Sequence, residues 1–116
     1  MEFNKDINLD LLEMLGAELV YFSPLSDSQL PDEINGLYLG GGYPEVFAKQ
    51  LEENTDIRVN IKSKLESGLP AYAECGGLMY MSEAIINSAG EKFNMVGIIP
   101  GVSIMTKTLQ RFGYVK

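Results

Sequence analysis

Two short apolar runs in this 116-residue chain each end abruptly at glycines. Gly36-Leu37-Tyr38-Leu39 runs into Gly40-Gly41-Gly42-Tyr43-Pro44. Leu69-Pro70-Ala71-Tyr72-Ala73-Glu74 runs into Cys75-Gly76-Gly77-Leu78-Met79-Tyr80. Apolar runs of this length, flanked by helix-like stretches, read as buried parallel strands. Glycines at their ends mark tight strand-to-helix turns. Strands alternating with helices predict an α/β fold with parallel members. Ligands in open sheets of that kind bind beyond the carboxyl ends of the strands. Both glycine clusters, and the only cysteine, fall at such ends.

The rest of the chain is read around these two turns. A helix is expected from about Asn8 to Leu15, with Leu11, Leu12 and Leu15 on one face and Gly16 as its stop. Glu18 to Phe22 reads as a short strand, and Ser23 to Glu33, with Pro24 and Pro31, as a loop. Pro44 suits the first turn of a helix, because its missing N–H is unpaired there anyway. That helix is expected through about Glu53, with Asn54 and Thr55 breaking and recapping the chain. Ile57, Ile61 and Leu65 mark an amphipathic helix closed by Gly68. Gly77 to Ile86 reads as the next helix and Ser88 to Glu91 as a turn. From Phe93 to Lys116 the chain reads as extended segments split by Gly97, Pro100-Gly101 and Gly113. No repeats or low-complexity tracts interrupt it, so one domain is expected over residues 1–116.

Composition narrows the function classes. Sixteen acidic against nine basic residues give a formal net charge of −7. Such a surface repels phosphate backbones and anionic headgroups, so neither nucleic acid nor membrane is an expected partner. The longest apolar stretch, around Met95 to Met105, is broken by Gly97, Pro100, Gly101 and Ser103 and cannot span a bilayer. The N-terminus lacks the pattern of a signal peptide. A single cysteine forms no intramolecular disulfide, which fits a reducing, cytoplasmic location. Metal binding has no support, since carboxylates are scattered and histidine is absent.

Cys75 is the candidate nucleophile. A thiolate is the attacking species, and unpaired N–H groups at a helix start by Gly76-Gly77 favour the anion. Glycines there leave room for a substrate and leave backbone N–H groups free to hold an oxyanion. Gly41 and Gly42 on the facing loop could supply another donor. The arrangement has the mechanics of a nucleophile elbow. A lone cysteine is more often a small core residue, but the place of this one at a strand end favours the nucleophile. Glu74 and Glu45 lie beside the glycine clusters and could act as acid or base. A carboxylate bonding nearby backbone N–H groups is the plainer reading. Tyr38, Tyr72 and Tyr80 are expected to pack, and Tyr43 to have the best chance of facing a ligand. Met79 and Met81 are expected to fill core gaps. The chain contains no histidine, the usual base for a cysteine nucleophile.

The two long motifs, Gly36 to Glu45 and Ala73 to Tyr80, resemble the glutamine amidotransferase domain of the cobyrinic acid a,c-diamide synthase family. This is the cobalamin-pathway branch of the class I, triad-type amidotransferases. The resemblance runs from Asn8 to Val115 and implies a flavodoxin-like α/β fold, a mostly parallel sheet flanked by helices. It implies that Cys75 attacks the side-chain amide of glutamine, with N–H groups near Gly41, Gly42 and Gly76 holding the oxyanion; Tyr43, Glu45 and Glu74, by their places beside the glycines, are candidates for support. It implies an ATP-binding domain using Mg²⁺, which this sequence lacks, and a catalytic histidine after the Gly-Tyr stretch matched by Gly113-Tyr114. The expectation is therefore a fragment, truncated at its C-terminal end. Missing strands would leave sheet edges open to self-association. Two other readings stand beside this one. One is a non-catalytic α/β binding module. The other is the glutaminase domain of a related amidotransferase, serving cobyric acid synthesis or nickel-tetrapyrrole or cell-wall precursor amidation.

Overall fold

The computed structural model describes residues 14–105 and the backbone of 114–115. The expected helix from Asn8 lies outside the described residues except for its last two. The elements are β1 (Leu37–Leu39), α1 (Ala48–Glu53), α2 (Thr55–Glu66), β2 (Ala71–Ala73), α3 (Gly76–Met81), β3 (Ser82–Ile86), β4 (Lys92–Asn94), β5 (Ile99–Ile104) and β6 (Tyr114–Val115). The α/β class is as expected. The pairings, however, are divided between two sheets and two directions. Strands β1 and β2 pair in parallel, and a second sheet has the order β4-β3-β5-β6. In that sheet β3 and β5 are parallel, while β4 and β6 add antiparallel edges.

Helix α2 follows its periodicity. Ile57 and Ile61 are fully buried and Leu65 half-buried, one above another on a single face. Its end is closed by Gly68 N–H to the Leu65 carbonyl and Leu69 N–H to the Lys64 carbonyl, at 3.1 Å each. This is the Schellman pattern that satisfies last-turn carbonyls. Asn54 separates α1 from α2 but makes no side-chain cap. Its amide instead donates to the Pro24 and Asp27 carbonyls at 2.8 and 2.9 Å, pinning the 23–33 loop.

Four local expectations are corrected. First, the stretch Gly77–Ile86 is not one helix. Helix α3 stops at Met81, and Ser82 turns extended. The Ser82 hydroxyl donates to the Met79 carbonyl at 2.6 Å and meets the Ser103 hydroxyl at 3.1 Å. A buried serine that can bond the preceding turn and the neighbouring strand offers the backbone an exit from helix. The β-branched Ile85-Ile86 pair then suits the sheet. Second, Glu18–Phe22 forms no strand. Val20 and Tyr21 stay about 60% exposed, and the segment borders an open groove of about 950 Å³ against β1 and β2. Third, Tyr43–Phe47 is a succession of turns, with Val46 N–H to Tyr43 O and Phe47 N–H to Pro44 O. The helix starts only at Ala48, since Phe47 offers no capping oxygen. Fourth, Pro100-Gly101 does not split the strand. Both residues sit opposite Glu83 alone, forming a bulge within β5. The Gly101 N–H is taken up by the Glu83 carboxylate at 3.0 Å.

The core joins Leu39, Leu51, Ile57, Ile61, Met79, Tyr80 and Ile85, each at most 1% exposed. Arg58 locks its rim. Its guanidinium donates to the Glu52 carbonyl at 2.7 Å and to the Met95 carbonyl at 3.2 Å. The Tyr80 hydroxyl is buried without a hydrogen-bond partner among the described residues. Burial pushes it far above the ordinary tyrosine range, with the Arg58 charge pulling back by less.

The core makes two predictions. Ile61→Ala should destabilise the chain by about 2–5 kcal/mol, whereas exposed Val59→Ala should stay within about 0.5 kcal/mol, as read by urea midpoints. Tyr80→Phe should be neutral or stabilising by about 1 kcal/mol, because it removes a buried hydroxyl with no partner. Folded Tyr80 holds its proton more tightly than unfolded Tyr80. Stability should therefore fall as pH rises above about 10, and Tyr80→Phe should flatten that alkaline limb.

Candidate active site

The site is built where β1 and β2 end side by side. Their parallel register pairs Leu37 with Ala71, Tyr38 with Tyr72 and Leu39 with Ala73. The Glu74 N–H extends the ladder by bonding the Leu39 carbonyl at 2.9 Å. The two chains then diverge, one into Gly40-Gly41-Gly42 and the other into Cys75 and α3.

Cys75 has φ +51° and ψ −122°, a conformation that residues other than glycine rarely adopt. Such a conformation costs about 1–3 kcal/mol and persists only where its surroundings fix it. Here they do. Leu78 N–H and Met79 N–H both bond the Cys75 carbonyl, and Gly77 N–H bonds the Glu74 carbonyl at 2.9 Å. The thiol is exposed at the apex of this turn. The Gly76 N–H has no acceptor among the described residues.

The two glycines after Cys75 are required by close approach of backbone. A Cβ on Gly76 would collide with the Gly41 carbonyl oxygen and stand 2.7 Å from Pro44 Cδ and 2.9 Å from the Gly42 carbonyl. A Cβ on Gly77 would collide with the Leu39 carbonyl. The glycine loop and the Cys75 turn are thus in direct contact, Gly41 and Gly76 being 35 residues apart in sequence. Gly41 and Gly42, at φ +67° and +74°, bend the loop over the turn.

The remaining site residues divide. Tyr43 is 69% exposed on the loop, beside the turn. Glu74 bonds no backbone N–H group among the described residues. Its carboxylate instead accepts from the Tyr38 hydroxyl, and Tyr72 Oη lies 3.5 Å from the other oxygen. One oxygen of Glu45 is buried without a hydrogen-bond partner among the described residues. Tyr38 and Tyr72 pack as expected, rings stacked 5.5 Å apart, though Tyr72 keeps its outer face in solvent. Met79, Tyr80 and Met81 are core residues. Sequence reasoning missed the Tyr38–Glu74 bond. Its only trace is that each residue lies two positions before the first glycine of a turn.

A strained, exposed cysteine between a strand and a helix, packed against a glycine loop, has the geometry of a nucleophile elbow. Across residues 1–116 the sequence matches the model of the CobB/CobQ-like glutamine amidotransferase domain, and the chain belongs to that family. Its relatives narrow the branch. It is 53% identical over 109 residues to a cobyrinate a,c-diamide synthase of Caldanaerobacter subterraneus, covering 94% of this chain and 24% of that protein. It is 49% identical over 114 residues to that of Dehalococcoides mccartyi, covering 98% and 25%. With the synthase of Clostridium tetani it shares 56% identity over 107 residues, covering 92% and 24%. The chain therefore spans about a quarter of the length of these relatives. No helix among the described residues is long and apolar enough to cross a membrane.

Contact at the glycines makes a graded prediction. Gly76→Ala and Gly77→Ala should each push the loop off the turn and lower the melting temperature well beyond the effect of Gly41→Ala. At Gly41 a Cβ meets open space. That substitution should cost only the left-handed strain, about 1–2 kcal/mol.

Proposed function

We propose that this chain is the glutamine-hydrolysing part of an ATP-dependent amide ligase acting on corrin a and c carboxylates, with a flavodoxin-like core. The observation that carries the reading is the conformation of Cys75, an exposed thiol on a strained turn held against a glycine loop. The Cys75 thiolate attacks the side-chain amide carbonyl of glutamine. The carbonyl oxygen takes up the electron pair and is held by backbone N–H groups of the Gly41-Gly42 loop and Gly76. The C–N bond breaks and the amide nitrogen leaves, with a proton, as ammonia. Water then cleaves the glutamyl thioester to glutamate and free thiol. Tyr43 flanks the entrance, and Glu45 lies in the same loop.

ATP and Mg²⁺ belong to another domain on this reading. The loop Gly40-Gly41-Gly42-Tyr43-Pro44-Glu45 has no lysine to meet phosphates, and the net charge of −7 opposes a polyphosphate. Partners are then glutamine, the ATP-binding domain and a histidine-bearing segment. A cytoplasmic setting suits a free thiol. The names of the relatives favour the a,c-diamide synthase over the related amidotransferases. Were these 116 residues the whole protein, the absence of histidine would favour a second reading, an α/β module that binds without turning over.

Two outcomes test the proposal. A glutamine-shaped chloroketone should alkylate Cys75, excess L-glutamine should protect it, and Cys75→Ser should abolish labelling. Labelling indifferent to L-glutamine would overturn the reading. General acid–base assistance is worth about 10²–10⁴-fold in rate. The purified 116-residue chain should therefore release glutamate at no more than background, and robust release that depends on Cys75 would refute this.

A further inference from the structure

We propose that Glu74 is a positioning residue that fixes the glycine loop relative to the nucleophile turn, rather than an acid or base. The inference rests on the glutaminase reading of Cys75. Glu74 is the last residue before the nucleophile, and its own N–H bonds the Leu39 carbonyl at 2.9 Å. Its side chain reaches back across the same pair of strands. One carboxylate oxygen accepts from the Tyr38 hydroxyl, while Tyr72 Oη lies 3.5 Å from the other. The pairing of Tyr38 with Tyr72 stacks the two rings at 5.5 Å with 17° between their planes, so both hydroxyls point toward one carboxylate.

The pair lies directly against the first residue of the glycine loop. A Cβ on Gly40 would stand 2.7 Å from Tyr38 Cε1 and 3.2 Å from both the Tyr38 hydroxyl and the nearer Glu74 oxygen. Gly40 therefore rests on the tyrosine–carboxylate bond, and the two residues after it carry the proposed oxyanion donors. On the other side, Glu74 is covalently joined to Cys75. The bond thus spans the gap between the two halves of the oxyanion site. It acts near its ends, where a small displacement misaligns hydrogen bonds to a reacting carbonyl. One oxygen of this carboxylate is committed to the Tyr38 hydroxyl, which favours holding the loop over moving a proton. A bare negative charge there would also oppose the developing oxyanion. Engagement by tyrosine hydroxyls directs the carboxylate to a mechanical role.

The test compares two alkylating agents on Cys75 in the full 116-residue chain. A glutamine-shaped chloroketone places its ketone oxygen in the oxyanion site, whereas iodoacetamide needs only the thiol. The ratio of their rate constants cancels changes in thiol reactivity and reads the geometry of the site. Tyr38→Phe and Glu74→Ala should each lower the ratio about tenfold, and the double variant should fall no further, because both remove one bond. Glu74→Gln, which keeps an acceptor for Tyr38, should retain most of it. Thermal melts identify any variant that fails to fold, and Tyr38→Phe, which loses one oxygen atom, decides the matter if Glu74→Ala does not fold. A ratio within twofold of wild type in the folded variants, or effects that multiply in the double variant, would overturn the inference alone. A wild-type ratio no higher than that of free cysteine would instead overturn the glutaminase reading, and this inference with it.

Discussion

The structure depends on a contact that only backbone can make. Gly76 and Gly77 lie so close to the carbonyls of Leu39, Gly41 and Gly42 that no side chain fits between them. That approach does two things at once. It ends the parallel pairing of β1 and β2 with the two chains still touching, and it sets the Gly41-Gly42 loop against the turn at Cys75. Backbone is also the stiffest material available for such a site. It has no rotamers to order, and its dipoles are aligned before any ligand arrives.

The strain at Cys75 follows from the same contact. A residue at φ +51° and ψ −122° relaxes unless both of its neighbours are held. Glu74 is held by the ladder bond to Leu39, and Gly76 by the loop above it. Cys75 itself stays exposed, while Gly76 and Gly77 are buried. The strain of about 1–3 kcal/mol is offset by the core beneath, where Met79 and Tyr80 of α3 are fully buried. Helix α3 is only six residues long. Burial, more than its own hydrogen bonds, keeps it in place.

What was legible in the sequence is what is local in it. Helix α2 shows its buried face at i, i+4 and i+8, and the glycine turns show as abrupt changes of composition. Cys75 stood out because its neighbours within three residues describe the turn. The stretch Gly77–Ile86 was misread because a short apolar run has no period to tell helix from strand. Its choice is made by β5, some 15 residues on, and by Ser103 reaching Ser82. Glu18–Phe22 has the composition of a strand but no ladder partner among the described residues, and β-propensity without a partner fixes little. The Tyr38–Glu74 bond joins residues 36 apart. No window on the sequence contains both.

The two halves of acyl transfer are therefore unequal in how they are encoded. Holding charge on a carbonyl oxygen takes backbone N–H groups, and two glycine turns on adjacent parallel strands supply them wherever the strands meet. Moving protons takes a side chain with a free lone pair at the right height over the thiol. Of the nearby carboxylates, Glu74 has one oxygen engaged by the Tyr38 hydroxyl, and one oxygen of Glu45 is buried without a hydrogen-bond partner among the described residues. On the proposed glutaminase reading, these 116 residues contain no histidine to take the proton-transfer role. A domain built in this way keeps its electrostatic half rigid and local.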